Sequence, residues 1–164
     1  MTTRDLLDQI RFTHGYTLRL LEATPRDDWG RVPPAGVSHV AWQVGHLAMA
    51  GYRLALERVR GHLPGDDLLI GEEFLNRFGR DSVPDPAPVP EPADELLLTY
   101  QSVHLRIQQE IAALAPEELN QPLLRPHAIC KTKGDCLAWC AQHEMLHAGQ
   151  VGLLRRQLGH RPLW

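Results

Sequence analysis

The chain has 164 residues, 43% of them hydrophobic and 23% charged, which suits one globular domain over residues 1–164 with its own core. A net charge of -3 leaves no broad basic surface for nucleic acid, and no apolar run reaches the roughly 18 residues that a bilayer span needs. Three cysteines cannot all pair, and "MTTRDLLDQIRF" carries acids where a signal peptide has its apolar core, so the expectation is a cytoplasmic protein with reduced thiols.

Four segments read as helices. The first runs from Thr3 to Ala23, with Leu6, Ile10, Thr17 and Leu21 on one stripe and a capping box in Thr2 and Asp5. The second begins after Ser38, read as its N-cap, and ends at Gly61. Trp42, His46, Met49, Arg53 and Leu56 share one of its faces. A long connection follows, including "GRDSVPDPAPVPEPA" over residues 79–93. Its alternating prolines favour an extended strap crossing the outside of the domain.

The third helix spans Asp94 to Leu114, with Leu96, Tyr100, Val103, Ile107, Ile111 and Leu114 as its stripe. Thr132 and Asp135 form the capping box of the fourth, which runs to Leu158 before Gly159. No alternating strand pattern is present, so the expected fold is an all-α four-helix bundle with a long Pro-rich crossover between the second and third helices.

Nine histidines are the unusual part of the composition. His143 and His147, in "HEMLH", lie one turn apart and about 40° apart around the helix, a spacing that lets two imidazoles bind one metal ion. Cys136, Cys140, His143, His147, Gln150 and Leu154 fall within about 100° of arc, read as the face toward the bundle. HExxH also belongs to zinc peptidases, but the context here disfavours one. The positions of the extended motif hold Gln150 and Leu153, and no acid follows His147. Glu144 is turned about 100° from His143 and reads as a solvated surface residue.

The third ligand is therefore sought upstream, where His46 sits on the apolar stripe of the second helix. His39 stands at a helix start, and His62, His127 and His160 are in loops or the tail. His14 and His104 flank apolar stripes as reserve ligands or polar packing. Cys140 could add a thiolate, but that would close the site, and a small core residue is the favoured reading.

"SHVAWQVGHLA", followed a hundred residues later by "HEMLHAGQVGLLRRQLG", resembles the DinB/YfiT-like superfamily of bacterial four-helix bundles. The resemblance implies a metal held by His46, His143 and His147. It also implies low-molecular-weight thiols as cosubstrates, in isomerisation or S-transfer. The proline strap and the cysteines at 136 and 140 are not part of that pattern. Three imidazoles suit zinc or nickel and leave a position open for a water or a thiolate. Gln150, Arg53 and Tyr52 are the candidate catalytic or substrate-binding residues. Two classes follow: a metal-dependent small-molecule transferase or hydrolase, or a non-catalytic metal-binding, stress-related or interaction protein. A homodimer through a helix face is neither required nor excluded.

Overall fold

The computed structural model describes residues 1–34, 36–79, 81–82, 84 and 92–164. Among them the structure is helical, with no strand and a single isolated β-bridge between Pro122 and Thr132. No helix among them is long and apolar enough to cross a membrane.

Helix α1 (Thr3–Glu22) opens on the expected capping box: the Asp5 amide donates to Thr2 Oγ1 at 3.1 Å and the Thr2 amide to Asp5 Oδ2 at 2.8 Å. Helix α7 (Lys133–Gln157) opens the same way on Thr132 and Asp135. Between them lie α2 (Val40–Gly51), a π-helical turn (Tyr52–Glu57), α3 (Arg58–Arg60), α4 (Asp66–Leu69), α5 (Glu72–Arg77) and α6 (Ala93–Ala113). α1 packs on α7 and α6, and α2 packs on α6 and α7. The apolar stripes meet between them: Leu6, Ile10 and Leu21 of α1, Leu96, Tyr100 and Ile107 of α6, and Leu137 of α7 are all fully buried.

Three details differ from the sequence reading. The N-cap of α2 is His39, not Ser38: His39 Nδ1 accepts from the Trp42 amide at 3.1 Å. His39 is buried, because the start of α2 is pinned beneath Trp29, whose carbonyl accepts from the Ala41 amide at 2.8 Å. The second helix is not uniformly α, since its ladder widens over Tyr52–Glu57 before closing again at α3. Gly61 then ends it at φ 86°, in the left-handed region.

The connection after Gly61 is partly helical and anchored on Asp66. That carboxylate receives Arg60 on both oxygens at 2.9 Å, the Leu63 amide at 3.0 Å and the Tyr52 hydroxyl at 3.0 Å. Most of the proline strap over 79–93, residues 80, 83 and 85–91, lies outside the described residues.

Candidate metal centre

The fold brings together the histidine pair that the spacing singled out and His46, the favoured upstream candidate. His46 of α2 and His143 and His147 of α7 each offer one ring nitrogen, and these atoms all lie within 4.8 Å of one another. The ring centroids are 5.4, 4.6 and 4.5 Å apart. His46 and His147 are buried, and His143 is half-buried.

Each of two rings is held from behind. His46 Nδ1 lies 2.9 Å from the Phe78 carbonyl oxygen, and His147 Nδ1 lies 2.6 Å from Gln43 Oε1. Both partners are acceptors, so each Nδ1 carries the proton and each Nε2 keeps its lone pair. Gln43 is oriented in turn, because its amide nitrogen donates to Ser38 Oγ at 2.9 Å. Carbonyl partners of this kind fix ring orientation and tautomer in metal sites. Trp42 stacks on His46 at 4.7 Å and 16°.

Gly45 is what lets Phe78 reach this position. A Cβ there would run into the Phe78 ring, which sits fully buried against α2. Burial also lowers the proton affinity of the three histidines. Aided by the neighbouring imidazoles, it brings His143 to about 4 and His147 to about 3, and it lowers His46 as well. All three are therefore neutral near pH 7, the form that can bind a cation.

A cavity of about 500 Å³ opens onto two of these histidines. Besides His46 and His143 its walls include Met49, Leu54, Trp139, His127, Arg53 and Arg58.

A family model described as the DinB superfamily matches residues 9–151. The chain belongs to the DinB superfamily. That match runs from α1 to just beyond His147 and takes in all three histidines of the cluster. No curated protein matches the chain.

The other candidates in this DinB chain are placed as follows. Arg53 lines the histidine cavity. Tyr52 is buried, and its hydroxyl is committed to Asp66 and to His62, 2.9 Å away. Burial, then Asp66, raises its pKa. Gln150 is exposed and lines a separate recess with Ser38 and Gln43. Cys140 is buried, and burial followed by the Glu144 charge pushes its thiol well up, so it is a protonated core residue. Burial likewise lifts the Cys136 thiol to about 12.

Glu144 corrects the sequence reading most sharply. It is 3% exposed, not solvated. Its carboxylate accepts from the Tyr100 hydroxyl, pairs with His104 Nε2 at 2.7 Å, and lies 3.7 Å from His14 Nδ1. His14, His104 and Glu144 form a second group with converging ligand atoms. Its carboxylate already has protein donors, however, and the His14 and His104 rings stack at 3.7 Å. Burial alone would raise the Glu144 pKa, but His104, His14 and Tyr100 outweigh it and hold it at about 2. The group ties α1, α6 and α7 together.

The angular arithmetic explains the miss. The buried residues of α7 include Cys136, Leu137, Cys140, Ala141, Glu144, His147, Ala148, Val151 and Leu154. At about 100° per residue their arc is centred some 60° to the Glu144 side of the stripe drawn through the histidines. Glu144 therefore falls inside it, and Gln150 falls outside. Gln43 was also missed, although it stands one turn before His46 on α2 and shares its side of the helix.

Proposed function

We propose that this chain is a metal-dependent small-molecule enzyme on a four-helix bundle, with the strap over residues 79–93 as its crossover. His46, His143 and His147 would hold one zinc or nickel ion through their Nε2 atoms. The observation that carries this reading is the convergence of three neutral imidazoles, two of them with Nδ1 hydrogens fixed on carbonyl oxygens.

When bound, such an ion supplies Lewis acidity at its open position and lowers the pKa of a water or thiol there. The chain's own residues do the rest. Phe78 and Gln43 aim the rings, Trp139 and Leu54 wall the cavity with apolar surface, and Arg53 stands ready to orient substrate. The proposed cosubstrate is a low-molecular-weight thiol, as the resemblance implies. A catalytic role is favoured over a purely metal-binding one because Cys140 does not seal the site and a cavity reaches His46 and His143. Glu144 is engaged by α1 and α6, so the peptidase role of a general base beside the metal is not proposed.

The test is metal content of the purified protein beside His46→Ala and His147→Ala. The expected result is about one zinc or nickel per wild-type chain and close to none in the variants. Equal content in all three would sink the reading. Nickel- or cobalt-loaded protein titrated with a simple thiol should then develop a thiolate charge-transfer band.

A further inference from the structure

The π-helical turn has a local consequence for charge. In an α-helix, residues five apart point about 140° away from each other. In a π-helix the i→i+5 hydrogen bonds stack them one turn apart, and such turns recur at functional sites. Here the widened turn over Tyr52–Glu57 brings Arg53 and Arg58 to one face, with Arg58 Nη1 donating to the Arg53 carbonyl at 3.0 Å. Both arginines line the 500 Å³ cavity that holds His46 and His143. Among the described residues, no aspartate or glutamate lines that cavity.

Neither charge is answered by a protein carboxylate among the described residues. No ion pair involves Arg53 or Arg58, and Arg58 Nε is buried without a hydrogen-bond partner. The nearest acid in sequence, Glu57, is taken by Arg125 at 2.7 Å. Two half-buried cations beside apolar walls of Met49, Leu54 and Trp139 make a receptor for an anion with an apolar body. The same two arginines border a second cavity of about 550 Å³, whose lining also includes Glu57, Asp67 and Glu72. Those acids disfavour a dianion such as phosphate and favour a single carboxylate.

We propose that the π-turn builds a substrate subsite in which Arg53 and Arg58 take the carboxylate of a small molecule whose reacting end lies at His46 and His143. This rests on the metal-centre reading for the reacting end, but not for the anion site itself. The role of Arg53 and Arg58 is binding and positioning.

The test uses 3-phenylpropionate, 3-phenylpropionamide and 2-phenylethylphosphonate, titrated calorimetrically into the full chain as purified and after chelator treatment. The comparison includes the Arg53→Gln/Arg58→Gln double variant and its Arg53→Lys/Arg58→Lys counterpart, with folding checked by circular dichroism. The acid should bind at least about tenfold tighter than the amide in wild type, with or without metal. The preference should fall below about twofold in the Gln variant and largely survive in the Lys variant. Equal binding of acid and amide, an acid preference that persists in the Gln variant, or tighter binding of the phosphonate would each overturn the proposal. Should the Gln variant fail to fold, the wild-type acid-to-amide ratio and its loss at high salt decide the matter. A chain that holds no zinc or nickel as purified and takes up neither when it is supplied, yet prefers the acid, would overturn the metal-centre reading and leave the subsite standing. A metal-loaded chain without that preference would do the reverse.

Discussion

Helix α7 takes part in two histidine groups on adjacent sides, giving His143 and His147 to one and Glu144 to the other, and the two surround their imidazoles differently. On one side His143 and His147 meet His46, with carbonyl oxygens on the Nδ1 atoms of His46 and His147 and one ring nitrogen of each of the three converging. On the other side His14 and His104 meet a carboxylate, and Glu144 is satisfied by Tyr100 and His104 within the protein. Acceptors behind His46 and His147 leave their other ring nitrogens free to take a cation. An acid between the rings takes the converging point for itself, while the Nδ1 atoms of His14 and His104 have no hydrogen-bond partner among the described residues. Residue type alone does not make a metal site; what the other nitrogen of each ring touches does.

Substitutions should separate the two groups. His147→Ala has the largest expected effect on the first, with metal content falling from about one ion per chain to near none while Glu144→Ala retains it. Metal analysis of the two purified variants checks this. On stability the order reverses. Glu144→Ala removes a buried charge that joins three helices and should cost about 3–5 kcal/mol in urea unfolding, well above the cost of His147→Ala in metal-free protein.

Gln43→Leu sharpens the comparison by removing only the acceptor behind His147. Metal affinity should fall about 10–100-fold, read by competition with a chelating dye, while Cys140→Ala leaves it unchanged.

The smallest effect is that of a carboxylate answered by arginine instead of histidine. Burial would push the Asp66 carboxyl up, but Arg60, the Leu63 amide and Tyr52 bring it down to about 2, against 3.8 ordinarily. A folded-state pKa below the unfolded one stabilises the protein above that ordinary value, and this contribution is lost as pH falls from about 4 toward 2. Asp66 should therefore contribute roughly 2 kcal/mol at neutral pH. The acid slope of unfolding free energy in that window should flatten in Asp66→Asn.

Much of this was legible along the chain. The stripe through Leu6, Ile10 and Leu21 and the capping boxes at Thr2 and Thr132 are periodic or local signals, and they set α1 and α7 where expected. The HxxxH spacing placed His143 and His147 one turn apart because helix geometry is fixed. Gln43 could have been found by asking which residue one turn from His46 is a polar acceptor on an otherwise apolar helix. Glu144 could not be found from spacing. A helix with histidines, cysteines and a glutamate around much of its circumference does not declare which arc is covered, and the neighbours of α7 decided that.

By itself the sequence determined the long helices, the capping boxes at Thr2 and Thr132, and the pair His143 and His147, because these follow from periodicity and local spacing, while His46 joined them as the favoured upstream candidate and through the family resemblance. Only the tertiary structure decided the rest. It put the Phe78 ring over Gly45 and the Phe78 carbonyl behind His46, and buried Glu144 between α1 and α6. It also widened one turn so that Arg53 and Arg58 face one cavity. Each is a contact between segments far apart in the chain, or a change of helical pitch, and such terms depend on what packs against a residue more than on which residues stand beside it.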